Sequence, residues 1–194
     1  MKLLAGLGNP GKQYARTRHN VGFRVIDHVA ERHGIRITRE KFQSLLGEGV
    51  LRSDASQSRV VLVKPLTFMN LSGSALQAAA HFYRIGPEDT VVVHDDLDLP
   101  FGRLRIRARG GDSGQRGVRS ILETLGEENF VRLRVGIGRP ETRMDPADYV
   151  LQIFSAEEEA RLPELLDRAA DALEAIVFEG PLAAMNRFNP REDP

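Results

Sequence analysis

The period of the apolar positions changes repeatedly along the chain, and each change marks an element. Lys2 to Leu7 is a short apolar run and predicts a strand. Val21, Phe23, Val25, Ile26 and Val29 recur at mostly helical spacing, and Gly34 supplies a stop. A helix is therefore predicted over residues 20–33, with Asn20 as its N-cap. Phe42 to Leu51 and Arg59 to Lys64 read as strands, joined by the polar hairpin loop Ser53 to Ser58 and closed by Pro65. The Ala-rich stretch from Leu71 to about Arg84 predicts a helix. Thr90 to Val93 is a β-branched run, read as a central buried strand that ends on His94-Asp95-Asp96-Leu97-Asp98. Arg103 to Arg109 alternates Arg with apolar residues, and Phe130 to Ile137 reads as a further strand. Between them the Gly-rich loop Gly110 to Gly117 leads into a helix ending near Leu125.

Ser155-Ala156-Glu157-Glu158 is a capping box that opens an acidic helical region. Leu162, Leu165, Leu166, Ala169, Leu173, Ile176 and Val177 form one apolar stripe along it, and Pro163 is expected to split it into a short turn and a main helix. Gly180-Pro181 stops that helix, and a short last helix runs to about Phe188. Strands alternating with helices predict a single α/β domain over residues 1–188, followed by a flexible tail over residues 189–194. The hairpin makes the sheet mixed, with helices on both faces. Sites in such sheets lie beyond the carboxyl ends of the strands, so the loops after Leu7, Lys64 and Val93 are expected to meet.

Composition narrows the chemistry. The chain has 194 residues, enough for one sizeable core, with 41% hydrophobic and 28% charged residues. Lys+Arg and Asp+Glu both number 27, which argues against a wholly basic nucleic-acid protein but leaves room for a basic patch. With no Cys, disulfides, thiolate metal sites and a Cys nucleophile are excluded. No apolar run approaches the roughly 20 residues that span a bilayer. The apolar start is cut off at Asn9-Pro10, too early for a signal peptide. A soluble, cytoplasmic protein without a membrane partner is expected.

The stretch Gly6 to Asn20 is too rich in Gly, Pro and polar residues to be core. Gly6-Leu7-Gly8-Asn9-Pro10-Gly11 fits the dinucleotide pattern G-x-G-x-x-G. In that pattern the helix begins within the glycines, whereas here Pro10 and a further loop intervene. The acidic residue expected about 20 positions on falls at Asp27, inside a helix rather than at a strand end. Gly111-Asp112-Ser113-Gly114 looks like a serine-protease nucleophile segment, and His19, Asp95, Ser113 have the matching order. Order does not establish a triad, and the helical content contradicts a double β-barrel.

His19 stands beside a helix N-terminus, which favours the neutral imidazole of a general base. It needs an orienting carboxylate, and the acids after Val93 are placed to supply one. The alternative is an exposed His among solvated acids. Arg103, Arg105, Arg107 and Arg109 fall on one face of a period-two strand. From Phe101 to Pro140 there are nine Arg against four acids, whereas Glu157 to Glu179 carries eight acids against two Arg. Like charges along one face repel, which favours an anionic partner such as phosphate over a merely solvated face.

Four segments then occur in order: G-L-G-N-P-G…Y…T-R-H-N (Gly6 to Asn20), T-F-M-N-L-S-G (Thr67 to Gly73), H-D-D-L-D-L-P (His94 to Pro100) and L-R-V-G-I-G-R-P (Leu133 to Pro140). Together they resemble the bacterial-type peptidyl-tRNA hydrolase family over nearly the whole chain. The resemblance implies a monomeric α/β fold around a twisted mixed sheet, no metal or other cofactor, and peptidyl-tRNA as substrate. It implies hydrolysis of the ester between peptide and tRNA, which recycles tRNA from stalled translation. His19 matches the family's catalytic base, Asp95 the carboxylate that holds it, and Asn9 the residue that tells N-blocked from free aminoacyl-tRNA. Tyr14, Phe68 and Asn70 match contacts to the tRNA end and peptide, and Arg105, Arg107 and Arg134 match residues facing tRNA phosphates.

One loop departs from the pattern. Where the family usually has His-Asn, this chain has Gln115-Arg116. Arg116 is expected to hold the 3′-terminal phosphate, to stabilise the oxyanion, or to point away. The departure keeps open a second class, an RNA-binding protein on the same fold without hydrolysis. Against it stand Asn9, His19 and Asp95, which a pure binder does not need.

Overall fold

The computed structural model describes residues 1–140 and 143–190. Three apolar runs form its centre: β1 (Lys2–Gly6) lies between β4 (Gln57–Pro65) and β5 (Thr90–Asp96), parallel to both. Leu3, Leu4, Val61, Leu62, Val92 and Val93 have no exposed surface, as continuous apolar strands covered on both faces should. Beyond β4 come β3 (Ser44–Arg52) and β2 (Arg39–Lys41), each antiparallel to its neighbour. On the other side β7 (Val131–Gly136) runs parallel to β5, and β6 (Leu104–Arg107) closes the sheet antiparallel to β7. The sheet is therefore mixed and seven-stranded, in the order β2-β3-β4-β1-β5-β7-β6.

Helices cover both faces. α1 (Val21–His33) and α5 (Ala156–Phe178) bury Val25, Ile26, Leu165 and Leu173 against Leu4, Val93 and Leu133. α2 (Ser72–Tyr83) and α3 (Arg116–Leu125) bury Leu76, Ala79, Val118 and Ile121 against Leu3, Val61 and Val92. The short α4 (Pro146–Val150) and the last helix α6 (Pro181–Phe188) complete the single domain. α1 begins against the ends of the central strands. A Cβ on Gly22 would lie 2.5 Å from the Val93 carbonyl oxygen, and one on Gly6 would lie 2.2 Å from the Gly22 oxygen. Only glycine permits this approach, and it sets the residues before α1 over the carboxyl ends of β1 and β5.

Several expectations are corrected. Phe42 and Gln43 are not strand residues; both take the left-handed conformation (φ 54° and 50°) and form the turn between β2 and β3. The Phe42 ring packs 5.0 Å from Phe82, a contact that offsets an unfavourable backbone for two residues without glycine's freedom. α5 runs unbroken through Pro163. Its apolar stripe, from Leu162 to Val177, is buried against the sheet on both sides of the proline, and that packing outweighs the lost backbone bond. β5 extends past Val93, so His94, Asp95 and Asp96 are strand residues rather than loop. β6 is shorter than the expected 103–109. α4 was missed, although Asp145 followed by Pro146 is an N-cap and N1 signal, and Asp145 does accept from the Ala147 amide.

The expected tail begins too early. The Asn189 side chain accepts from the Ile106 amide (2.7 Å) and donates to its carbonyl (3.0 Å), pairing the outer edge of β6. Its main-chain carbonyl accepts from Arg103. Residues 191–194 of the expected tail lie outside the described residues.

Candidate active site

Asp95 is the penultimate residue of the buried strand β5, 3% exposed and surrounded by protein. Its Oδ2 lies 2.7 Å from His19 Nδ1. An ionised carboxylate only accepts, so Nδ1 carries the proton, and Nε2 is left as the basic nitrogen of the ring. Burial disfavours the imidazolium, but the charge of Asp95 and its hydrogen bond outweigh burial and the nearby Arg116 charge. The His19 pKa is raised above the ordinary imidazole value. For Asp95, burial acts upward, yet the charge and hydrogen bond of His19 and the donation from Gln115 bring its carboxyl below the usual range. The pair is thus a base held by an ionised carboxylate, poised to take a proton near neutral pH.

The loop before α1 is fixed from two sides. Asn20 was expected to cap α1, but its side chain makes no cap bond. Instead it accepts from the Asn9 amide and donates to the Asn9 carbonyl, both at 2.9 Å. A reciprocal pair of bonds to one backbone unit holds Asn9 better than a single cap contact would. Arg18 is buried; it donates to the Ile153 carbonyl and to Glu158, both at 2.5 Å, and lies 4.4 Å over the Tyr149 ring. The 3₁₀ turn Arg18–Asn20, which carries His19, is thereby tied to α5 and to the segment after α4. Asn20 and Arg18 stood inside the quoted T-R-H-N segment, but nothing in their spacing gave them these roles.

Asn9 is itself oriented. Its Oδ1 accepts from the Met69 amide at 2.9 Å, so Nδ2 is the group left to donate. Met69, unassigned by sequence, brings the loop after β4 to the loop after β1. A cavity of about 590 Å³ results, and its walls include Asn9, Tyr14, His19, Phe68, Asn70, Asp95 and Arg116. The three loops expected to converge do so, joined by the start of α3 and the segment around α4. Phe68 is 55% exposed, and the Tyr14 ring meets it edge-on at 6.5 Å, so an aromatic rim stands beside the polar floor. Arg116 is exposed on the cleft wall. Ser113 also lines this cavity, but no hydrogen bond joins it to His19 among the described residues, and the protease-like order has no triad behind it.

The basic face is smaller and more varied than the sequence stripe suggests. Arg105 and Arg107 are exposed on β6, opposite Arg134 and Arg132 of β7. Arg103 lies outside the strand and bonds Asn189, so it leaves the stripe. Arg134 is ion-paired with Asp96 and partly buried, not open like its neighbours. Arg132 is 2% exposed, stacks 4.1 Å over Phe130, and leaves Nε and one terminal nitrogen without a partner. Arg107, Arg109, Arg132 and Arg134 line a second cavity of about 230 Å³. His94 and Ser113 line both cavities, so the two adjoin. Among the described residues no group of three or more His, Asp or Glu is arranged to hold a metal ion, and no helix is long and apolar enough to cross a membrane.

The fold and the cleft define a single-domain α/β enzyme with a base–carboxylate pair at the carboxyl end of its sheet and cationic surface beside it. The family model "Peptidyl-tRNA hydrolase" matches residues 3–194. The peptidyl-tRNA hydrolase of Chloroflexus aggregans is 53% identical over 191 residues, covering 98% of this chain and all of that protein. That of Symbiobacterium thermophilum is 50% identical, covering 97% of this chain and 98% of the relative. The crystal structure of peptidyl-tRNA hydrolase from Acinetobacter baumannii superposes with a TM-score of 0.87 at 35% identity, over 97% of this chain and 94% of that one. The chain belongs to the bacterial-type peptidyl-tRNA hydrolase family. It is an enzyme of that kind, and the reading as an RNA-binding protein without hydrolysis is set aside.

Proposed function

We propose that His19 removes a proton from water, which attacks the ester carbonyl joining a peptide to the 3′ ribose of tRNA. The observation that carries this reading is the 2.7 Å bond from His19 Nδ1 to buried Asp95, which fixes the tautomer with Nε2 basic. Asp95 stabilises the imidazolium as it forms. Charge developing on the carbonyl oxygen is met by amide donors: Asn9 through Nδ2, its Oδ1 being engaged by Met69, and Asn70 from the facing loop. One such donor is worth about 3 kcal/mol. The proton then passes from His19 to the leaving ribose oxygen, and no covalent intermediate forms.

Tyr14 and Phe68 offer aromatic surface to the terminal base and the peptide. Arg116 faces the same cleft, where its charge suits the oxyanion or the 3′-terminal phosphate. Arg105, Arg107 and Arg134 bind tRNA phosphates, Arg134 while still paired with Asp96. The enzyme acts as a cytoplasmic monomer, without metal or cofactor, and returns tRNA from abandoned translation. The test is release of tRNA from N-acetyl-aminoacyl-tRNA and from free aminoacyl-tRNA, each with and without EDTA. Cleavage of the blocked substrate alone, unchanged by EDTA, is expected. Equal cleavage of both removes the discriminating role of Asn9, and loss of activity with EDTA removes the metal-free mechanism.

A further inference from the structure

The first residue of the unusual Gln115-Arg116 pair is not in the open cleft. Gln115 is 8% exposed and is the N-cap of α3. Its Oε1 accepts from the Val118 amide at 2.9 Å, and its Nε2 donates to Asp95 Oδ1 at 3.0 Å. The orientation of the amide follows from its partners. A backbone N–H only donates and an ionised carboxylate only accepts, so a flipped amide would lose both bonds. The Met69 sulfur, 3.2 Å from Nε2, closes the remaining side. Asp95 therefore has one oxygen on His19 and the other on Gln115.

We propose that Gln115 is a positioning residue for the reaction: it ties the N-terminus of α3 to the free oxygen of Asp95, and so fixes the carboxylate that orients His19. The inference rests on the reading of His19 as the base. Gln115 lies between two fixed groups and cannot rotate with both bonds intact. Without it, Asp95 keeps a buried oxygen with no donor, and two carboxylate rotamers become available to it. His19 then faces a more strongly basic Asp95 from β5 and the same Arg116 charge from α3, while His94 still faces Asp95 from within β5. The His19 imidazolium is better stabilised, and the neutral base is less available at a given pH.

Two variants separate this role from helix capping. Gln115→Asn keeps a good N-cap but shortens the side chain by one carbon–carbon bond, about 1.5 Å, too short to reach Asp95. It is expected to melt below the wild type, because a buried Asp95 oxygen loses its donor, to keep KM for N-acetyl-aminoacyl-tRNA, and to lose kcat by about tenfold or more. Its acid limb in kcat/KM moves to higher pH. Gln115→Glu keeps the capping oxygen but sets a carboxyl against Asp95. The two cannot both stay ionised at this separation and share a proton. That shared proton restores a donor at lower pH and is lost as pH rises, so the profile passes through a maximum and falls, where the wild type reaches a plateau. A purely structural role produces neither change. The proposal is overturned if Gln115→Asn has the wild-type kcat and acid limb, or if the Gln115→Glu profile parallels the wild type. If instead wild-type activity survives His19→Ala, it is the underlying reading of the base that fails.

Discussion

Charge is handled in opposite ways on the two sides of this molecule. On the α1 side the cations meet carboxylates. Arg18 reaches Glu158, Arg24 reaches Glu159, and Arg32 reaches Asp167, Asp171 and Glu174. The rings of His28 and His33 also lie within hydrogen-bond distance of Asp167 and Glu174. On the β6 side Arg105, Arg107 and Arg109 are exposed and have no ion pair among the described residues. The acidic helix that stood out in the sequence is thus partly neutralised within the fold, by Arg18 and by Arg24 and Arg32 of α1. A net charge of zero conceals a surface whose cations remain available. The cleft adjoins that surface; there Asp95 is bonded to His19 and Asp96 is paired with Arg134, while Arg116 stays exposed. Pairing fixes geometry, which chemistry requires. Openness leaves counterion-covered charge, which phosphate binding displaces.

The sharpest test of the division is at the fixed pair. His19→Ala is expected to lower kcat by about a thousandfold, the loss typical of a general base, while tRNA binding stays intact. Single-turnover hydrolysis and a filter-binding assay read the two effects separately. A parallel loss of binding would mean that the cleft and the basic face are not separable. Asp95→Asn ranks next, with about a hundredfold loss of kcat, because an amide can present its N–H to Nδ1 and reverse the tautomer.

The same pair sets the pH dependence. The His19 pKa is raised, burial being outweighed by Asp95, and only the neutral ring is a base. Activity is therefore expected to fall as pH drops through a value above that of free imidazole, and to be complete on the alkaline side of it. A kcat/KM profile from acid to neutral pH checks the sign. An acid limb below the ordinary imidazole value would mean that Asp95 does not stabilise the imidazolium.

How much of this was legible in the chain depends on whether the cause was local. The β1 run, the stop at Gly34 and the capping box at Ser155 are local, and each element stands where the pattern put it. Pro163 was misread because its context is the sheet beneath α5, not its sequence neighbours. Phe42 and Gln43 were misread because a distant ring, Phe82, supports their turn. In the cleft, His19 and Asp95 carried signals of their own: a His at a helix start and acids at a strand end. Met69 and Arg18 carried none, Asn20 was read only as a helix cap, and Gln115 only as a departure from the family pattern. The bonds that give them their places in the cleft run to partners between 11 and 140 positions away. The alternation of arginines predicted a common face correctly for Arg105 and Arg107, but could not show that Asp96 engages Arg134 or that Asn189 engages Arg103.

The open face gives smaller and differently shaped effects. Arg105→Ala combined with Arg107→Ala is expected to raise KM about tenfold at moderate salt and to leave kcat unchanged. The slope of log affinity against log salt should become shallower by about 1.5, since each lost phosphate contact removes slightly less than one unit. Thermal stability should hold or rise, because Arg105 and Arg107 stand opposite like charges on β7. An unchanged salt slope would mean that this face is merely solvated and that the contrast with α1 carries no function.

The paired side supplies the smallest effect. Arg32→Ala removes the α1 cation shared by Asp167, Asp171 and Glu174 of α5. Those carboxylates are partly solvated, so the loss is that of a surface network, about 1 kcal/mol, rather than that of a buried pair. It should appear as a lower melting temperature, diminished at high salt, with KM, kcat and the salt slope of binding all at wild-type values. The double arginine variant on β6 should do the reverse, changing binding and its salt slope without loss of stability. If Arg32→Ala also weakened tRNA binding, α1 would be part of the RNA surface, and its ion pairs would be competing with phosphate rather than simply joining α1 to α5.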